Sequence, residues 1–161
     1  MLQKLLKALH EVGAIGVLGA LAACVVLVAT APSPSDSLVE YATVRRSIAA
    51  LSKWLLVPSL ALVLISGLLS IAANKAYINS AWAWIKALLG ISMFEGALIA
   101  VDGSARQAAE LSALAVAGTG NAAQLAEVLR TEWGSLWLLI VVSLVNIVLA
   151  VWRPRIYRTA S

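Results

Sequence analysis

The stretch LHEVGAIGVLGALAACVVLVA at positions 9–29 contains one histidine and one acidic residue, and all its other residues are apolar or small. Three further apolar stretches follow it, at positions 54–73, 82–101 and 134–151. Each is about twenty residues long, and a helix of that length, at ~1.5 Å rise per residue, covers the ~30 Å hydrocarbon layer of a bilayer. The sequence therefore predicts four transmembrane helices.

The composition of the 161-residue chain agrees with this prediction. Hydrophobic residues make up 61% of the chain, charged residues only 12%, and the mean hydropathy is +0.92, far from the balance of a soluble domain. Four spans leave no room for a second domain, so we expect residues 1–161 to form a single membrane domain in contact with the lipid bilayer. The net charge of +4 lies at span ends, which is typical of membrane flanks and excludes a nucleic-acid partner.

Two segments outside the apolar stretches, 32–53 and 102–133, are long enough to form structure of their own. In the first, apolar residues recur at helical spacing, and the second is rich in Ala, Leu and Gln before a break at Gly118. Both patterns favour helices. We therefore expect an all-α fold in which four transmembrane helices form an antiparallel bundle with helical extensions on the non-cytoplasmic side.

Basic residues predict the orientation in the membrane. An even number of spans places both termini on one side, and that side carries most of the basic residues in short segments: Lys4, Lys7, Lys75, Lys86, Arg153, Arg155 and Arg158. On the other side the basic residues lie in longer segments and are accompanied by acids. Because short cytoplasmic loops are enriched in Lys and Arg, we expect both termini to be cytoplasmic. We also expect the first span to stay uncleaved, because the sequence continues apolar after Cys24, where a lipoprotein would turn polar.

Charged residues near the outer ends of the second and third spans predict structural ion pairs. If these spans form a hairpin turning near Tyr77, residues whose numbers sum to about 155 lie at one level. Lys53 then faces Asp102, and Arg45 faces Glu110. We interpret both as structural ion pairs that hold the helical extensions together, each contributing less than ~1 kcal/mol to stability.

Glu95 is the clearest ionisable residue at membrane depth. A charge there costs roughly 2.5 kcal/mol or more, so such residues usually face the interior of a bundle. At ~100° per residue, Asp102 and Arg106 each fall within about 20° of Glu95 on the third helix. Two interpretations stay open: Glu95 is a ligand, proton or ion site, or it is a structural carboxyl that bonds between helices.

His10 is the only histidine, so a single chain has no second histidine for a bis-histidine haem or a two-histidine metal site. A five-coordinate haem, a mixed site of His10 with Met93, or a site shared across a dimer stays open, with Glu95 as a further partner. The single cysteine, Cys24, excludes a disulfide within the chain. His10 and Glu95 are thus candidate cofactor-binding residues, and His10 and Met93 are candidate metal ligands.

Two short motifs carry a resemblance to a known family. The sequence LHEVGA at positions 9–14 opens the first span, and WIKALLG at positions 84–90 opens the third. With the span layout, these resemble small bacterial inner-membrane proteins related to the CopD-like copper-resistance membrane domain and its uncharacterised relatives. The resemblance implies a bacterial cytoplasmic membrane, and it implies copper or haem binding at His10.

The functional prediction follows partly from what the sequence lacks. No second histidine or cysteine completes a catalytic triad or a zinc site, and no glycine-rich loop ends in the Lys and Ser/Thr that bind phosphates. We expect a non-enzymatic accessory, binding or assembly component, present as a homodimer or in a larger membrane complex. The alternatives are a haem- or copper-handling membrane protein and a dimeric ion or proton pathway through Glu95.

Overall fold

The computed structural model describes residues 1–152, and the predicted cytoplasmic residues Arg153, Arg155 and Arg158 lie outside the described residues. Its helices are α1 (Leu2–Thr30), α2 (Leu38–Leu51), α3 (Val57–Ala72), α4 (Lys75–Ile78), α5 (Ala81–Gly96), α6 (Gly103–Val116) and α7 (Ala122–Trp152). Two π-helical segments, Ser52–Leu56 and Ala97–Asp102, connect α2 to α3 and α5 to α6. The described chain is therefore all-α, as the sequence predicts.

Four continuous helices are long and apolar enough to cross a membrane. They are α1, the second long helix Leu38–Ala72, the third long helix Ala81–Val116, and Ala123–Leu149 within α7. The second and third have 35 and 36 residues, well beyond the ~20 that a bilayer requires. The excess length of these two helices lies in α2 and α6, and α7 likewise begins well before the predicted span at 134–151, so the segments between the predicted spans are largely helical.

Local sequence signals fix the ends of these helices. The Ser37 hydroxyl accepts a hydrogen bond from the Glu40 backbone N–H at the start of α2. Asn121 accepts bonds from the N–H groups of Ala123 and Gln124 at the start of α7. Between α6 and α7, Gly118 has φ +80°, which a residue without a Cβ adopts at little cost. The predicted break at Gly118 is therefore a capped turn.

The first π-helical segment lies directly before Pro58. Proline has no backbone N–H and its ring clashes with the carbonyl four residues earlier, so the regular α-helical pattern fails here. The structure accommodates this with five-residue spacing, in which the Val57 N–H bonds to the Ser52 carbonyl. The second segment shows the same spacing, from the Gly103 N–H to the Leu98 carbonyl. The two π-helical segments contact each other.

The helices pack around two apolar cores. The main core lies among all four long helices and includes Leu21, Leu56, Val101 and Leu136. A second core lies between the helical extensions and contains Tyr41, Ala108, Leu111, Leu125 and Val128. The extensions therefore bury apolar surface of their own.

Glycines set the close contact between α1 and α3. A Cβ built on Gly16 would lie 2.3 Å from the Ser59 Oγ, and one on Gly13 would lie 2.8 Å from the Val63 Cγ2. Both distances are too short for real atoms, so neither position accepts a larger side chain without movement. Gly19 has nothing within 4 Å of such a Cβ. Gly13 and Gly16 thus bring α1 close to α3, while Gly19 faces outward.

Candidate functional site

A buried ion pair joins α2 to α7. The Arg45 Nη1 donates to the Glu132 Oε2, and the two side chains are only 4% and 1% exposed. The Arg45 Nε donates to the Tyr41 hydroxyl at 3.1 Å, and the guanidinium carbon lies 5.2 Å from the centre of the Tyr41 ring. Buried charges require such partners because an unpaired charge in a low-dielectric interior is very costly.

This ion pair corrects the predicted partner of Arg45. The side chain of Glu110, the expected partner, is exposed. On α6, the residues that pack inward are instead Ala108, Leu111 and Ser112. The hairpin register placed Arg45 and Glu110 at one level, but Glu110 lies off the face that contacts α2, and α7 supplies the carboxylate.

The predicted pair of Lys53 with Asp102 is also wrong. Asp102 is buried, and its Oδ2 forms an ion pair at 2.8 Å with the Nη2 of Arg106, one turn along the same helix. Lys53 is exposed, and its Nζ lies 5.2 Å from the centre of the Trp54 ring. Lys53 and Trp54 therefore lie together on the outer surface, whereas Asp102 faces the interior.

Four buried side-chain oxygens have no hydrogen-bond partner among the described residues: Ser52 Oγ, Asp102 Oδ1, Glu132 Oε1 and Ser143 Oγ. Ser52 and Asp102 belong to the two π-helical segments that contact each other. Irregular helical turns of this kind recur at functional sites. The interior is thus polar at the level where the spans meet their extensions.

Glu95 lies on the outside of the chain. Its side chain is exposed, and within residues 1–152 it has no hydrogen bond or salt bridge. Its neighbours on the same helix face are exposed as well: Trp84, Leu88, Ile91, Ser92 and Ile99. The expectation that Glu95 faces the bundle interior is therefore wrong for a single chain.

The π-helical segment Ala97–Asp102 explains this difference. An unbroken α-helix would place Glu95, Asp102 and Arg106 on one stripe. A π-helical segment adds about one residue to a turn and rotates everything that follows. As a result, Glu95 faces outward while Asp102 is buried.

His10 is held against α3. Its Nδ1 lies 3.0 Å from the Val63 carbonyl oxygen and 3.3 Å from the Ser66 Oγ. A Cβ on Gly67 would lie 3.5 Å from the His10 Cε1, an ordinary van der Waals distance, so the ring packs beside this glycine. The imidazole is partly buried, and the carbonyl bond assigns its Nδ1 as the donor.

Met93 lies in the main core, where the Asn146 Nδ2 donates to its sulfur at 3.8 Å. The three predicted ligands thus have separate environments: His10 packs from α1 against α3, Met93 lies beside Asn146, and Glu95 lies on the outer surface. Within residues 1–152, no group of three or more His, Cys, Asp or Glu side chains could hold a metal ion. The described chain therefore does not bring His10, Met93 and Glu95 together into one site.

Glu132 is the buried charged residue that the sequence analysis missed. It occupies one position in a series on α7 whose other members are buried and apolar: Leu125, Val128, Leu136 and Leu139. These five positions recur every third or fourth residue, which defines one helix face. A carboxylate within such a face is the sequence signal of a buried, paired charge.

Comparisons with known proteins add no relatives: no family model, curated protein or solved structure matches the chain. The functional interpretation therefore depends on the residues themselves.

Proposed function

We propose that this chain is a non-enzymatic integral membrane protein that acts as an accessory, binding or assembly component. In this proposal the four long helices cross the membrane as an antiparallel bundle with both termini in the cytoplasm. The bacterial cytoplasmic membrane as its location rests on the resemblance of the segments at 9–14 and 84–90 to CopD-like membrane proteins.

The observation that carries this proposal is the exposed position of Glu95. At a rise of ~1.5 Å per residue, Glu95 lies about 16 Å along the helix from Trp84. Asp102, at the other end of the span, lies about 10 Å away by the same rise. Glu95 is therefore within the hydrocarbon layer, provided that the aromatic residues near Trp84 mark one interface.

An exposed carboxyl at that depth requires a polar neighbour. A charged side chain in the centre of a membrane costs roughly 2.5–3.5 kcal/mol, and even a protonated carboxyl loses its hydrogen bonds in lipid. Since no described residue of the same chain bonds to Glu95, a protein neighbour in the membrane is the natural partner. Contact through this face is what an assembly component requires.

The surroundings of His10 support the haem- or copper-handling alternative less well. The Nδ1 is bonded to the Val63 carbonyl, and neither Met93 nor Glu95 bonds to the ring. A cofactor that needs more than one of these three side chains would therefore have to draw further ligands from elsewhere. The ion or proton pathway shares Glu95 with our proposal, and transport by liposomes that contain the purified protein distinguishes the two.

A photo-crosslinking experiment in native membranes tests the proposal. Benzoylphenylalanine replaces Ile99, which is 72% exposed and one turn beyond Glu95. The matched control replaces Ile65, which is 57% exposed on α3. We expect protein adducts from position 99, fewer of them when Glu95→Leu is added, and none from position 65. Adducts with lipid alone at both positions would overturn the proposal.

A further inference from the structure

We propose, building on the function proposed above, that the neighbour covering Glu95 is a second copy of this chain. The contact surface is the outer face of α5 around Ser92, Glu95, Gly96 and Ile99, hereafter the Glu95 face. Three features of this face favour a copy of itself: small residues that permit close approach, polar groups that complement each other, and flanking apolar side chains.

Small residues lie at the centre of the Glu95 face. Ser92 and Gly96 are four positions apart, and Ser92 is exposed. A Cβ built on Gly96 meets nothing within 4 Å, so the space beside this glycine is open and faces away from the rest of the chain. A pair of small residues at this spacing lets two membrane helices approach closely, which is the main source of contact between helices in lipid.

The polar groups of the face complement one another under two-fold symmetry. Ser92 supplies a hydroxyl and Glu95 a carboxyl, one helical turn apart. In a symmetric dimer the same patch meets itself, so each carboxyl faces the partner's hydroxyl or carboxyl. A protonated carboxyl and a hydroxyl each donate one hydrogen bond and accept others. The two copies thus satisfy the polar groups that a lipid surface would leave without partners.

The apolar residues of the face frame this polar centre. Leu88 and Ile99 are 64% and 72% exposed, and Ile91 is 43% exposed. Leu88 lies about two turns before Glu95 and Ile99 lies one turn after it. They extend the contact along the helix on both sides of Glu95 and keep lipid away from the hydrogen bonds.

A glycine substitution tests the inference without disturbing the single chain. Gly96→Leu fills space that the chain itself leaves open, so we expect the variant to fold. It places a bulky side chain where the second copy approaches. Gly19→Leu is the matched control, because Gly19 also has nothing within 4 Å but lies on α1.

The readout is the fraction of dimer in native mass spectra and in dilution series of fluorescently labelled protein in vesicles. We expect a dimer of the wild-type chain, weakening of at least about tenfold in Gly96→Leu, equivalent to ~1.4 kcal/mol, and no change in Gly19→Leu. A wild-type monomer, or a dimer that Gly96→Leu leaves intact, would overturn the inference.

The photo-crosslinking at position 99 separates this inference from the proposed function. An adduct of twice the mass of the chain, absent in Gly96→Leu, supports both. An adduct with a different protein retains the assembly function and overturns the second copy as partner. Adducts with lipid alone would overturn both the assembly function and the second copy as partner.

Discussion

Arg45 and Glu132 lie 87 positions apart in the sequence and form a buried ion pair between α2 and α7. Tyr41 completes the environment of the guanidinium, as its hydroxyl accepts from the Arg45 Nε and its ring lies beside the charge. The ion pair lies between the main core and the core of the helical extensions, since Ile48 and Leu136 belong to the former and Tyr41 and Val128 to the latter. It therefore connects two apolar cores.

Removing one partner of this pair is expected to destabilise the protein strongly. Arg45→Met leaves Glu132 buried without its counterion, and such losses cost about 3–5 kcal/mol. Replacing both, as Arg45→Met with Glu132→Leu, removes the two charges together and is expected to cost much less than the sum of the single changes. Denaturant unfolding in mild detergent measures these free energies.

The exposed ion pair of Lys7 and Glu11 provides the control for these single and double substitutions. Its atoms lie 3.7 Å apart, and its side chains are 78% and 63% exposed. Lys7→Met is therefore expected to change stability by less than ~1 kcal/mol. Equal effects of Arg45→Met and Lys7→Met would contradict the burial of the pair.

A second prediction concerns the contact of α1 with α3. Gly16→Ala places a Cβ 2.3 Å from the Ser59 Oγ and 3.0 Å from the Ser59 Cβ, so the Ser59 side chain or the helices must move, at a cost of about 1–3 kcal/mol. Gly19→Ala has open space around it and is expected to be neutral. Thermal unfolding midpoints compare the two variants.

Removing the opposing side chain tests whether this steric contact is the cause. In a Ser59→Gly background, Gly16→Ala meets neither of the two clashing atoms, and its cost is expected to fall below that in the wild-type background. An unchanged cost would show that the alanine acts through something other than the helix contact.

The apolar stretches predicted four long helices because a run of about twenty apolar residues has few other stable forms. The predicted spans were shorter than the observed helices, since the extensions carry polar residues that hydropathy does not count. Their second core, including Tyr41 and Leu125, depends on three helices meeting. The packing of α2, α6 and α7 against one another cannot be deduced from the sequence of any one of these helices.

The candidate site was less predictable because side-chain direction depends on irregular turns. The π-helical segment Ala97–Asp102 rotates Asp102 away from the stripe of Glu95. A one-dimensional register gives the level of Arg45 but not which helix supplies its partner, and it predicted Glu110 rather than Glu132. The packing of α7 against α2 brings Glu132 to Arg45.

A third prediction addresses orientation, which the proposed function places with both termini in the cytoplasm. In a Cys24→Ser background, Ser35→Cys and Thr119→Cys lie in exposed loops at the extension ends, and Asn79→Cys lies in the exposed loop before α5. We expect a membrane-impermeant maleimide to label positions 35 and 119 in intact cells. Position 79 is expected to react only after permeabilisation, and the reverse pattern would show the opposite orientation.

The last prediction separates the assembly function from the cofactor-handling alternative. Because the Nδ1 of His10 donates to the Val63 carbonyl at 3.0 Å, the ring already contributes one hydrogen bond between α1 and α3. His10→Ala removes this bond and the packing against Gly67, so we expect destabilisation of about 1–2 kcal/mol. Native mass spectrometry after release in mild detergent is expected to show wild-type and His10→Ala chains whose masses differ only by the mass of the substitution. Additional mass of haem or copper that is present in the wild type and lost in His10→Ala would instead assign His10 as a ligand, and the same spectra would show whether one chain or two hold the cofactor.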